Sequence, residues 1–249
     1  MREPDTLADG IAVVAEATAI AVLSGAGIST DSGIPDFRGP NGLWTRDPGA
    51  ERMSSFQAYR DDPSVRLRSW QARLTHPVWE ARPNAAHRAL VAMPRVGTIL
   101  TQNIDGLHQL AGSPDVVELH GSMHETVCLT CADRRPMRAA LDRVAAGEPD
   151  PPCLVCGGIL KSATISFGQP LDTEVLERAK EVAVTCDLML VAGSSLAVQP
   201  AAGLVGLAAR AGAAVVICNA SETPYDPLAA VILRDPLGEV LPALANQTR

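Results

Sequence analysis

The sequence is short of aromatic residues. Three tryptophans, two tyrosines and three phenylalanines make up 3% of 249 residues, while 47% are hydrophobic. Any core must therefore be aliphatic, built of Ala, Val, Leu and Ile. Basic charge is also in deficit: 21 Lys and Arg stand against 28 Asp and Glu, a formal net charge of −7. An acidic surface argues against nucleic acid as the main partner. It agrees with plain solubility and mildly suits a basic ligand such as a lysine-rich segment. No run of about 18 apolar residues is present to span a bilayer. The first ten residues are acidic and lack the basic and apolar regions of a secretory leader. A disulfide framework is not indicated either, so a reducing, cytoplasmic location is expected.

Four of the six cysteines fall as Cys128-x-x-Cys131 and Cys153-x-x-Cys156. Each pair has the reach to put two thiolates on one metal, and the intervening segment is long enough to fold back. This is the spacing of a tetrahedral structural zinc site; two redox dithiols are the competing reading. Four thiolates leave no position for water, so the metal holds structure. Its binding energy, on the order of 10 kcal/mol or more, becomes folding energy for a small module. His124 lies close by, but four cysteines already fill the shell. Cys186 and Cys218 lie in apolar runs and read as core thiols.

Short apolar runs alternate with helix-patterned stretches. Strands are expected over Thr18–Leu23, Val96–Leu100, Val116–Leu119, Leu188–Ala192, Ala214–Cys218 and Ala230–Leu233. Helices are expected over Ile11–Ala17, Ala85–Met93, Glu174–Val184 and Ala201–Ala211. Continuous apolar strands between helices imply an α/β fold, a doubly wound, Rossmann-like parallel sheet. Two stretches break the rhythm. One is polar, Arg-rich and weakly helical, and the other holds the cysteines. The expected division is a nucleotide-binding domain of residues 1–36, 89–121 and 166–249. A smaller inserted lobe combines a helical module, 37–88, with a zinc ribbon, 122–165.

The first strand runs into Gly25-Ala26-Gly27, a turn that lets a phosphate approach the backbone at a helix start. The third glycine of the G-x-G-x-x-G fingerprint is absent, and no acidic residue clearly ends the next strand, which weakens a dehydrogenase reading. The longer context is more informative. Gly25-Ala-Gly-Ile-Ser-Thr-Asp-Ser-Gly-Ile-Pro-Asp-Phe-Arg38, Thr101-Gln-Asn-Ile-Asp-Gly-Leu-His108 and Glu118-Leu-His-Gly121 resemble, in order, three signatures of the sirtuins, the NAD-dependent protein deacylases. The two cysteine pairs, Gly193-Ser-Ser195 and Cys218-Asn219 follow in that family's order. The resemblance covers nearly the whole chain.

It implies NAD as co-substrate, one structural zinc, and acyl-lysine proteins or peptides as substrates. His120 would be the general base toward a ribose hydroxyl. As a lone histidine at a strand end before Gly121, it suits a crevice outside the sheet. Asn103 and Asp105 would be catalytic and, with Gln102, would surround the nicotinamide and its ribose. Asp36, Phe37 and Arg38 would lie on a cofactor loop. Gly193, Ser194, Ser195 and Asn219 would bind the adenosine side. Phe167 and Gly168 would pair with the substrate backbone. His87 reads as structural, capping or packing a helix start. Two departures stand out: Ser162 replaces a proline and Gln169 a glutamate of the usual pattern. Sirtuins that remove acidic acyl groups carry a Tyr-x-x-Arg pair; here Trp70-Gln-Ala-Arg73 stands in a comparable region. With Trp70 as an apolar pocket wall, neutral acyl groups are expected to be preferred over succinyl. Mono-ADP-ribosyl transfer and a non-catalytic NAD-binding zinc-ribbon protein are the alternatives.

Overall fold

The computed structural model describes residues 4–37, 39 and 42–247. Among them the strands are β1 (Ile20–Ser24), β2 (Val96–Thr101), β3 (Val116–Glu118), β4 (Gly121–Cys128), β5 (Arg134–Pro136), β6 (Leu160–Thr164), β7 (Leu188–Ala192), β8 (Ala214–Cys218) and β9 (Val231–Leu233). Six form a parallel sheet in the order β3-β2-β1-β7-β8-β9. The other three form an antiparallel sheet, β5-β4-β6.

Alternation along β1 explains how the large sheet buries both faces. Ile20 and Val22 join one core cluster, Ala21 and Leu23 the other. Helices α1 (Leu7–Glu16), α6 (Ala85–Ala92) and α11 (Leu237–Gln247) supply Val14, Ala86, Leu90, Leu241 and Leu244 to the first. Helices α9 (Thr173–Thr185) and α10 (Gly203–Ala211) supply Ala179, Ala183, Leu204, Val205 and Ala208 to the second. Neither cluster's buried set contains an aromatic side chain, as the composition requires.

Caps set the helix starts. Thr6 and Asp9 form a reciprocal capping box, so α1 begins at Leu7, ahead of the expected Ile11. Asp172 accepts from Glu174 and Val175 N–H and starts α9. Asn84 and His87 form the box that starts α6, in keeping with the capping role read for His87. Helix α6 runs across the boundary expected after residue 88, and its buried side chains belong to the large-sheet core. Helix α11 was not expected. Gly238 and Pro242 read as breakers, but Val240, Leu241, Leu244 and Ala245 are buried, and that packing overrides propensity.

The small lobe gathers α2 (Leu43–Arg46), α3 (Pro48–Met53), α4 (Phe56–Asp61), α5 (Pro63–Leu74), α8 (Met137–Ala145) and the antiparallel sheet. Its core holds Trp70, Met137, Leu141, Val144 and Leu160 beside Cys128 and Cys153. Trp70 is fully buried there. This corrects the expectation of a pocket wall: the indole faces the hydrophobic centre that joins the helical and cysteine modules.

Register makes the C-terminal ends of the parallel strands level. Ser24 pairs with Thr101 and Ala192, Ala192 with Cys218, Thr101 with Glu118, and Cys218 with Leu233. Beyond that row the turns after β1 and β7 press together through bare backbone. A Cβ on Gly25 would lie 2.7 Å from the Gly193 oxygen, and one on Gly27 2.9 Å from the Gly193 Cα. The two N-terminal glycines thus serve loop-on-loop packing. The helix that follows the turn is a 3-10 helix, Ala26–Ser32, and Gly27 N–H donates to Gly193 O at 2.9 Å.

Gly193 has φ +67°, and a Cβ there would sit 2.5 Å from the Ile28 nitrogen. Gly193→Ala is therefore expected to cost about 2 kcal/mol or more, from left-handed strain plus a backbone clash. A lowered urea midpoint checks this; an unchanged midpoint contradicts it.

Candidate active site and metal centre

Five strands of the large sheet, β1, β2, β3, β7 and β8, each donate one further backbone bond before the chain turns away. Gly25 N–H donates to Ala192 O, Gln102 N–H to Ser24 O, Leu119 N–H to Thr101 O, Gly193 N–H to Cys218 O, and Asn219 N–H to Leu233 O. Gly25, Gln102, His120, Gly193 and Asn219 consequently cluster at one edge of the sheet, where β1 separates chain runs of opposite direction. Such a topological switch point opens a ligand crevice.

Asn103 and Asp105 are 7% and 6% exposed, and both are held from several sides. Asn103 Nδ2 donates to Gly25 O (3.2 Å) and Ser29 Oγ (3.1 Å), and its N–H donates to Thr101 Oγ1 (3.0 Å). Asp105 Oδ2 accepts from Ser29 Oγ (2.7 Å) and Oδ1 from Leu107 N–H (2.9 Å). Ser29 links the two residues. Sequence reasoning did not single it out, although it lies inside the Gly25–Arg38 stretch. These bonds satisfy both buried side-chain oxygens of Asp105.

His120 Nδ1 lies 3.0 Å from Gln102 O. The partner is a carbonyl, so Nδ1 carries the hydrogen and Nε2 keeps its lone pair in the neutral ring. Burial pushes the His120 pKa down; the Gln102 carbonyl opposes that shift. Gln102 also turns its side chain across β1, where Nε2 donates to Ser194 Oγ at 2.8 Å. Beneath this row, His108 Nε2 meets Ser24 Oγ at 2.8 Å and Ser24 donates to Thr101 Oγ1 at 2.8 Å. The His87 and His108 rings lie 4.9 Å apart. Burial lowers both, His108 to about 3, so both are neutral at pH 7.

The remaining expected residues are spread around the cleft. Ser194 is buried and accepts from Gln102 and Leu196, whereas Ser195 is exposed. Asn219 donates from Nδ2 to Ser221 O at 2.8 Å, and Arg234 braces both carbonyls of that turn. Asp36 accepts from Gly39 N–H, and Phe37 is 40% exposed. Arg38 lies outside the described residues. Phe167 is engaged along its backbone: it donates to Ser54 O (2.8 Å) and accepts from Phe56 N–H (2.9 Å). Arg73 donates to Ser69 O (3.1 Å) and Ser162 Oγ (2.7 Å). Ser162 Oγ also meets Thr164 Oγ1 at 2.8 Å. Where the usual pattern has proline, Ser162 thus builds a polar contact with α5.

The four Sγ atoms of Cys128, Cys131, Cys153 and Cys156 all lie within 4.8 Å of one another. Cys128–Cys156 is 3.5 Å and Cys131–Cys153 is 3.7 Å. Zinc–sulfur bonds of about 2.3 Å in a tetrahedron require S–S edges of about 3.8 Å, so the set fits zinc. Both separations exceed the roughly 2.05 Å of a disulfide. The two knuckles match locally. Thr130 N–H points to Cys128 Sγ and Val155 N–H to Cys153 Sγ, each at 3.4 Å. Ala132 and Gly157, each just after the second cysteine, both take positive φ. His124 stays outside the shell, as expected: its Nε2 lies 2.8 Å from Asp105 O.

A doubly wound sheet with a polar switch-point crevice and a closed thiolate site in an inserted lobe defines a nucleotide-binding α/β protein with a structural metal. Residues 25–200 match the model of the Sir2 family. NAD-dependent protein deacetylase 2 of Streptomyces coelicolor is 52% identical over 230 residues, spanning 90% of this chain and 95% of the relative. The NAD-dependent protein deacetylase of Thermodesulfovibrio yellowstonii is 40% identical over 234 residues, spanning 92% and 90%. A Sir2 structure solved with a p53 peptide and NAD+ superposes with a TM-score of 0.85 at 31% identity, covering 95% of this chain and 96% of that one. The chain belongs to the Sir2 family.

One zinc per chain is expected. Cys153→Ser should lose it and loosen the core that Cys153 shares with Trp70, shifting tryptophan emission to the red. Freshly purified protein without zinc, or an unshifted emission maximum in the variant, contradicts this.

Proposed function

We propose that the chain is an NAD-dependent protein-lysine deacylase, acting foremost on acetyl-lysine and giving nicotinamide and O-acyl-ADP-ribose. The observation that carries this is the His120 ring, oriented by Gln102 O at the switch point beside buried Asn103 and Asp105. The deacetylase relatives support the NAD-dependent activity. Sir2 proteins solved with a p53 peptide and with a propionylated peptide support acyl-lysine peptides as substrates. A reducing, cytoplasmic setting is part of the same reading, supported by four free thiols clustered for a metal.

NAD supplies the nicotinamide leaving group and the ribose that takes up the acyl group. The Gly25–Gly27 turn, Gly193, Ser195 and Asn219 would hold its adenosine half. Asn103 and Asp105 would hold the nicotinamide half. This chain's own contribution is largely positioning, which supplies several kcal/mol when groups are fixed before reaction. Ser29, Leu107 and Thr101 fix Asn103 and Asp105 so that neither must reorganise. His120, with its Nδ1 hydrogen directed at Gln102 O, accepts a proton at Nε2 from a hydroxyl in the cleft. Zinc, with a closed thiolate shell, has no open position and holds the lobe. Transfer of ADP-ribose to protein is the alternative outcome, recognised by label retained on the acceptor.

His120→Ala is expected to lower deacylation about 10²–10⁴-fold with zinc content and unfolding midpoint unchanged. Only the neutral ring is a base, and burial lowers its pKa. The acid limb of kcat/KM for the unaltered protein should therefore lie below about 6.5, the free imidazole value. Near-normal turnover by the variant, or a limb above that value, removes His120 from the role.

Neutral acyl groups should be preferred over succinyl. Burying a carboxylate requires a cation and donors to meet it. Here Trp70 is turned into the small-lobe core and Arg73 is engaged by Ser69 and Ser162. The comparison is kcat/KM on one peptide carrying acetyl-, butyryl- or succinyl-lysine. Succinyl turnover about tenfold above acetyl, roughly 1.4 kcal/mol in transition-state binding, contradicts this reading.

A further inference from the structure

We propose that His124 is a positioning residue that latches the zinc-bearing strand onto the Asp105 turn and so holds the nicotinamide side of the cleft in shape. The inference rests on the reading of Asp105 given above. Strand β4 does not run evenly beside β6: its register slips between Gly121 and Thr126. The slipped segment turns two groups toward the turn that follows Thr101. Met123 N–H donates to Ile104 O at 2.9 Å, and His124 Nε2 lies 2.8 Å from Asp105 O. A carbonyl only accepts, so Nε2 carries the hydrogen.

The imidazole has a fitted seat. Gly106 takes φ +72°, and a Cβ there would lie 2.8 Å from His124 Nε2 and 3.1 Å from its Cδ2. The ring therefore fills the space that any other residue at 106 would need. On its other side Trp79 meets the ring edge-on, with centroids 5.6 Å apart and planes at 86°. Trp79 is itself tied down through Nε1 to Arg73 O at 2.6 Å. His124 thus stands where the helical module, the cysteine-bearing strand and the buried Asp105 turn meet.

The consequence is a division of labour within the cleft. Asp105 is fixed through three points: its two carboxylate oxygens by Ser29 and Leu107, and its carbonyl by His124. Releasing the third lets the peptide plane between Asp105 and Gly106 rotate and carries the side chain with it. Gly193 and Asn219, on the far side of β1, are held by strand bonds that His124 does not touch.

The test compares His124→Ala, His124→Phe and His124→Gln in the full zinc-loaded chain. The readouts are the nicotinamide concentration that half-inhibits deacylation and the Kd for ADP-ribose by calorimetry. Loss of the hydrogen bond in the Ala and Phe variants should weaken nicotinamide inhibition about tenfold, with the ADP-ribose Kd changed less than twofold. Gln, which keeps an N–H donor of similar reach, should recover most of the inhibition. A Phe variant that matches the unaltered protein overturns the proposal, as does an equal shift in both readouts. Asp105→Asn separates the levels. If it leaves nicotinamide inhibition unchanged, the reading of the cleft fails and the latch with it. If it abolishes inhibition while the His124 variants do not, the latch alone is wrong.

Discussion

Two backbone turns touching at the centre of the sheet set the geometry of everything around them. The turns after β1 and β7 approach so closely that Gly25, Gly27 and Gly193 admit no side chain between them. That contact fixes where β1 stops and where Ala26–Ser32 leaves the sheet. Ser29, on this short helix, is thereby brought beneath Asn103 and Asp105. On the other side Gln102 reaches across to Ser194 and presents its carbonyl to His120. A methyl group at the crossing would part the turns and move both sets of groups together.

Around this crossing the polar groups of the cleft are mostly satisfied by the protein itself. Asn103, Asp105 and His120 each have protein partners that fix their direction. Preorganisation of this kind removes the cost of turning dipoles at the moment of reaction. The strand that ends at Cys128 also carries Met123 and His124, whose bonds reach the Ile104–Asp105 turn, so the thiolate cluster and the cleft share one strand.

Much of the fold was legible because the parallel strands are continuous apolar runs; β7 and β8 fall at the expected residues. The cysteine spacing likewise pointed to the clustered thiols. What stayed hidden depends on contacts distant in sequence. Helix α11 carries a glycine and a proline, and only its packing against α1 and α6 stabilises it. Trp70 reads as an apolar pocket wall, yet it packs with Met137, Leu141 and Leu160 in the small-lobe core. Ser29 and His124 carry no local signature of their contacts. Ser29 gains its place from the 3-10 turn and His124 from a register slip in β4, neither visible to periodicity. The Gly25-Ala26-Gly27 turn was identified for close approach of a phosphate; its packing against Gly193 depends on a contact distant in sequence.

Every role assigned to the cleft serves one coupling, breakage of NAD to removal of an acyl group from lysine. Its most direct test measures nicotinamide release and deacylated product together, with NAD present, with and without an acetyl-lysine peptide. Release should require the peptide, and nicotinamide, free lysine peptide and O-acetyl-ADP-ribose should form in equal amounts. Nicotinamide release that ignores the peptide, or ADP-ribose retained on protein with no deacylated product, would contradict it.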